Sequence, residues 1–227
     1  MKRIPLALPL LAVLSLIGSS PCPASPVTGD EPIVGTPCEG CEEVFNGIPD
    51  SLTSAARIAP RDYPGEPLRI TGTVLRPDGT PAPGTVVYAY HTNAGGIYPE
   101  DEDSHSRHGA LRGWTVANAD GRYRFETIRP GGYPRSTMPQ HLHMHVIEPG
   151  RCTYYIDDIV FTDDPRLAPE RREQYTHGRG GSGVVTPRRD EEGTWIVERD
   201  ILLGSGIPGY PDPVQGDNGG SEGTGSP

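Results

Sequence analysis

Three histidines alternate with apolar residues in "HLHMHV": His141, His143 and His145 against Leu142, Met144 and Val146. Upstream, two tyrosines sit in glycine-rich loops, Tyr98 in "NAGGIYP" and Tyr133 in "PGGYP". On an extended strand, side chains at i and i+2 share a face. The three imidazoles therefore line one side and the three apolar groups the other. Adjacent same-face residues lie roughly 6.5–7 Å apart along the chain, which leaves the outer two histidines about 13 Å apart. Two neighbouring imidazoles can converge on one metal, whereas all three from a straight strand cannot easily do so. Imidazole suits zinc, copper, iron and nickel. A phenol offers a hard anionic oxygen only to a strongly Lewis-acidic ion, because free tyrosine ionises near pH ~10. Ferric iron is the natural partner for tyrosine beside histidine. Glycines next to Tyr98 and Tyr133 would let the backbone bend so that each phenol reaches inward. Taken singly, each tyrosine is equally well an ordinary turn residue; three histidines in alternation argue against a merely solvated strand face.

The elements that must position these groups read as short strands. "EPLRITGTVL" alternates at Leu68, Ile70 and Val74, and "TVVYAYHT" is β-rich. "RGWTV" and "RYRFETI" flank Asp120-Gly121, as the two earlier runs flank Asp78-Gly79; both dipeptides are tight-turn formers. "HLHMHVIE", "CTYYIDDIVF" and "GTWIVERDILL" are further strands, and "LAPERREQYTH" is the one convincing helical piece. With 30 glycines and 26 prolines among 227 residues, the composition favours turns over long helices. The fold class expected is all-β: a β-sandwich with a short helix and long loops.

The first 20 residues begin with Lys2 and Arg3 and continue in an apolar run from Ile4 to Ile17, the pattern of an export signal. The expected organisation is a signal peptide over 1–24, a tether with a cysteine-containing segment over 25–64, the sandwich over 65–212 and a disordered tail over 213–227. No other segment is apolar enough to span a membrane. Cleavage after Ala24 fits the small residues there; a lipidated Cys22 is the alternative, although Pro21 makes a poor lipidation motif. In an oxidising compartment Cys38, Cys41 and Cys152 would supply one disulfide and one free thiol. "CEGC" lacks the second pair that a zinc ribbon needs, so a structural disulfide is preferred there. The formal charge of -10 makes nucleic acid and anionic membrane surfaces poor partners.

The order of these segments resembles the intradiol ring-cleavage dioxygenases, and more weakly an exported subgroup of them. "TGTVLRPDGTPAPGTVVYAYHTNAGGIYP" is similar to the family's approach to its first tyrosine ligand. "LRGWTVANADGRYRFETIRPGGYP" is similar to the approach to the second, and "PQHLHMHV" to its proline-x-His-x-His strand. The resemblance spans roughly residues 65 to 165. It implies Fe(3+) bound by Tyr98, Tyr133, His141 and His143, with Pro139 selecting His141 and His143 over His145. It implies cleavage of a small aromatic diol by O2 to a muconate-type diacid, with Tyr133 leaving the metal to act as the catalytic base. One departure stands out. Where the family carries an arginine three residues before the first histidine, this chain has Met138, and Arg112, Arg129 and Arg135 are the candidates to replace it. The first part of the pattern is also compatible with transthyretin-like or carboxypeptidase-regulatory-like modules, which bind or space and do not catalyse. A cupin-like reading of His143, His145 and Glu148 lacks its second motif. Whether the chain forms a homo-oligomer stays open.

Overall fold

Leu68, Ile70 and Val74 point to one side of strand β2 (Pro67–Leu75) and are buried, while Arg69, Thr71 and Thr73 on the other side are partly exposed. This period-two pattern is what a sheet with one face on a core requires. The computed structural model describes Val27, Gly29 and residues 31–38 and 40–211. The expected signal peptide, Cys22 and the tail over 213–227 lie outside the described residues. Two sheets face each other. One runs β1 (Ala55–Arg57), β5 (Arg122–Ile128), β2, β10 (Trp195–Glu198) and β9 (Arg188–Arg189), with β11 (Ile201–Leu202) also paired to β2. The other runs β4 (Arg112–Val116), β3 (Val86–Tyr90), β6 (His141–Glu148), β7 (Cys152–Phe161) and β8 (Val184–Val185). The expected β-sandwich is thus the observed architecture. Strand β1 already pairs with β5, so the sheets begin before residue 65; three residues are too few to show alternation. Among the described residues the helical pieces are short 3₁₀ segments, Cys41–Phe45 and Pro169–Tyr175. None is long and apolar enough to cross a membrane.

The Asp78-Gly79 and Asp120-Gly121 turns form where expected, but neither joins neighbours in one sheet. β2 and β5 belong to the first sheet, β3 and β4 to the second, so each connection crosses the sandwich. The core between the sheets contains Ile70, Phe125, Leu142, Met144, Val146 and Ile156. Leu142, Met144 and Val146 are the apolar partners of the histidine alternation, and all three are fully buried.

The histidine face of β6 is not left to solvent. A second apolar cluster, with Val44, Tyr88, Tyr90, Trp114 and Ile147 at its centre, covers that side of the sheet. The Trp114 indole N–H donates to the Val44 carbonyl at 2.7 Å. Burying a side chain of Val44's size stabilises by roughly 1.5–3 kcal/mol, so part of the expected tether is docked structure.

Candidate active site

β6 enters the site at His141, two residues after Pro139. His141 and His143 share a face, and their ring centroids lie 4.7 Å apart. The His141 Nδ1–H donates to the Pro139 carbonyl at 2.8 Å, and the His143 Nδ1–H donates to Asp158 Oδ1 at 3.0 Å. Each ring is thereby fixed with its Nε2 lone pair free. Both lone pairs face the same phenol: Tyr133 Oη lies 3.2 Å from His141 Nε2 and 3.5 Å from His143 Nε2. Tyr98 Oη lies 2.7 Å from Tyr133 Oη. The structure brings together all four residues singled out in the sequence.

The two tyrosine loops are stitched to each other by backbone. The Gly131 N–H donates to the Asn93 carbonyl and the Thr92 hydroxyl to the Gly131 carbonyl, both at 2.9 Å. A Cβ at Gly131 would stand 2.3 Å from the Ala94 oxygen, and one at Gly96, where φ is +78°, 2.2 Å from the Gly132 oxygen. The glycines are needed because two main chains touch, a stronger demand than simple bending.

Asp158 is the residue that sequence reasoning missed. Leu142 pairs with Ile159 but Met144 with Ile156, so Asp157 and Asp158 both stand opposite His143 in a β-bulge. The bulge turns Asp158 onto the face that carries Tyr155, whose hydroxyl donates to Asp158 Oδ1 at 2.5 Å. Burial acts to raise the Asp158 pKa, but His143, then His141 and Tyr155, outweigh it and hold the carboxyl below its ordinary range. His141, His143 and Asp158 also lie close enough to suggest a two-histidine, one-carboxylate metal set. The carboxylate, however, sits on the Nδ1 side of His143, whereas the tyrosines sit on the Nε2 side. The tyrosine set is the better fit, with Asp158 as its support.

Burial pushes both phenols above the ordinary tyrosine range, and burial lowers His141. Four oxygen and nitrogen donors thus converge on one point, with a phenol pair that only a strongly Lewis-acidic ion would ionise. This donor set fits ferric iron. His145 does not join it. Its ring is buried against Tyr155 and Tyr88, with centroids 5.3 and 5.8 Å away, and burial lowers its pKa to about 3.

A cavity of about 400 Å³ opens beside Tyr98, Tyr133 and His143, with Tyr90, Tyr155, Arg107 and His108 in its wall. Cys38 and Gly40 also line it. Cys38 and Cys41 form a disulfide and Cys152 is a buried free thiol. None of the three arginines considered for the missing role lines the cavity. Arg129 is held by Asp163 and Gln140, Arg112 by Asp101 and Ser104, and Arg135 is exposed. The arginine that does line it is Arg107, brought there by the loop between Tyr98 and β4. Met138 is exposed and lies outside the lining.

The two-sheet sandwich has known counterparts. The dioxygenase domain of a dioxygenase and carbohydrate-binding protein fusion from Streptomyces sp. SirexAA-E superposes with a TM-score of 0.52 at 22% identity, over 70% of this chain and 94% of that one. At that identity the likeness concerns the fold. A family model described as Dioxygenase matches residues 49–174, and the chain belongs to the intradiol dioxygenase family. The protocatechuate 3,4-dioxygenase beta chain of Burkholderia cepacia is 34% identical over 115 residues, 46% of this chain and 48% of that one. Catechol 1,2-dioxygenase 1 of Acinetobacter lwoffii is 34% identical over 102 residues, 42% of this chain and 33% of that one. The chain thus spans half or less of the length of these two relatives.

Proposed function

We propose that the protein opens the ring of a catechol-type diol between its two hydroxyl-bearing carbons with O2, at an Fe(III) held by Tyr98, Tyr133, His141 and His143. The observation that carries this reading is the placing of Tyr133 Oη between both histidine Nε2 atoms and Tyr98 Oη. When bound, ferric iron would take both diol oxygens and make the ring reactive toward O2.

The chain's own residues do the rest. Asp158 and the Pro139 carbonyl fix the two imidazoles with Nε2 aimed at the tyrosines. Tyr133 takes the proton of a diol hydroxyl at its Oη; burial raises its pKa, which makes its phenolate a competent base for that transfer. Tyr98 Oη, within hydrogen-bond distance of Tyr133 Oη, orients that group. The rings of Tyr90 and Tyr155 give the cavity aromatic walls suited to a flat substrate.

The Cys38–Cys41 disulfide supports an exported protein working in an oxidising compartment. The test of the function is to incubate iron-loaded protein with catechol under ¹⁸O2. The expected product is a muconate-type diacid carrying label in both new carboxyl groups. A ring opened beside the hydroxyls, or no oxygen uptake with iron bound, would contradict the proposal.

A further inference from the structure

One oxygen of Asp158 serves two donors. Oδ1 accepts from the His143 Nδ1–H at 3.0 Å and from the Tyr155 hydroxyl at 2.5 Å. A free phenol ionises near pH ~10 and an aspartate near pH ~4, so the hydrogen between the two oxygens stays on Tyr155. The hydroxyl is the closer of the two donors. Its distance is ordinary for a hydroxyl on a carboxylate, about 2.5–2.7 Å. The imidazole sits at the ordinary N–H···O distance of about 2.9–3.0 Å. The two hydrogens therefore share the electron density of one oxygen, and the phenol takes the larger part.

The ring that carries this hydroxyl is held independently of it. Tyr155 pairs with His145 in the register of β6 and β7, and the two rings meet edge to face with centroids 5.3 Å apart. The Arg179 guanidinium lies over the Tyr155 ring, 4.8 Å from its centroid, and is itself held by Asp157 Oδ1 at 3.0 Å. Both aspartates of the bulge thus bear on Tyr155: Asp158 accepts its hydroxyl, and Asp157 anchors the arginine that covers its ring. A phenylalanine would make the same ring contacts and the same stretch of cavity wall. The hydroxyl and its choice of partner are what packing leaves unexplained.

Resting on the reading of Tyr98, Tyr133, His141 and His143 as a ferric site, we infer that Tyr155 is a positioning residue that acts on the metal through Asp158 and His143. A carboxylate that draws on the Nδ1 hydrogen raises the basicity of the imidazole, so Nε2 becomes a stronger donor and the metal a weaker Lewis acid. The Tyr155 hydroxyl, spending part of the same oxygen, limits that draw. Asp158 keeps the ring aimed, and Tyr155 sets how much charge reaches the metal through it. A ferric ion kept acidic in this way is better able to hold oxygen ligands as anions.

The test compares wild type, Tyr155→Phe, Asp158→Ala and the double variant, each saturated with ferric iron, by the position of the phenolate-to-iron absorption band. The His143 Nδ1 proton is followed by NMR in gallium(III)-loaded wild type and Tyr155→Phe, since gallium(III) has the charge of ferric iron and no unpaired electrons. Tyr155→Phe should move the band to shorter wavelength and the His143 proton downfield, because the imidazole then has Asp158 Oδ1 to itself. Asp158→Ala should move the band to longer wavelength, and adding Tyr155→Phe to it should shift the band no further, as expected of two residues acting in series. A band and a proton that stay in place in Tyr155→Phe, or a Tyr155→Phe shift of equal size with and without Asp158, would overturn the inference and leave the ferric site standing. Wild-type protein that develops no band on ferric loading would overturn both.

Discussion

Asp158 stands behind His143, its Oδ1 3.0 Å from Nδ1, and so fixes which ring nitrogen faces the tyrosines. The contact exists because a bulge in β7 sets two aspartates opposite one histidine. Such carboxylate–histidine pairs orient a ligand and raise its basicity, and their loss typically weakens metal binding about 10–100-fold. Asp158→Ala should lower iron affinity by that order while the sandwich still folds. Equilibrium dialysis against a competing chelator checks it. Unchanged affinity would remove Asp158 from the site.

The second prediction concerns the seam between the tyrosine loops. Gly131→Ala places a methyl group 2.3 Å from the Ala94 oxygen and 2.6 Å from the Gly96 nitrogen. Neither atom belongs to a flexible side chain, so the loops must separate. We expect a loss of about 1–3 kcal/mol in stability and a fall in iron content, although both histidines are untouched. Thermal unfolding with metal analysis reads the two effects; normal iron content with normal stability would contradict the close approach.

Acid should loosen the loop that runs from Tyr98 to β4. Asp101 has its pKa lowered to about 2, chiefly by the Ser104 hydroxyl against the opposing effect of burial, with help from the Ser104 N–H and Arg112. Because the folded value lies below the unfolded one, its contribution to stability is present above about pH 4 and is lost as pH falls towards about 2. Asp101→Asn should flatten the pH dependence of unfolding in that window. A wild-type slope retained in the variant would assign the acid sensitivity elsewhere.

Much of this site was legible in the chain because its signals are local. Alternation on β6 assigned His141 and His143 to one face and Leu142, Met144 and Val146 to the core, and i to i+2 spacing alone brings the two imidazoles together. Asp158 was hidden because a bulge is a property of strand pairing, and in an unbulged strand Asp157 would have shared the face of Tyr155. Arg107 and His108 were hidden for a different reason. They lie in an irregular loop that folds back over the sheet, where no periodicity reports direction. The turn dipeptides marked where the chain reverses but not that each connection changes sheet, since sheet membership is set by long-range pairing.

The central claim is a ferric ion held by two tyrosines and two histidines, and metal analysis combined with the visible spectrum tests it most directly. Phenolate bound to ferric iron absorbs visible light by charge transfer. The purified protein should carry one iron per chain and be coloured, Tyr98→Phe or Tyr133→Phe should shift or weaken the band, and His141→Ala or His143→Ala should lower the iron content. His145→Ala should do much less, because its ring is packed against Tyr155 and Tyr88, outside the cluster. A protein that stays colourless after anaerobic iron loading and reoxidation would contradict the account and make a non-catalytic sandwich module the better description.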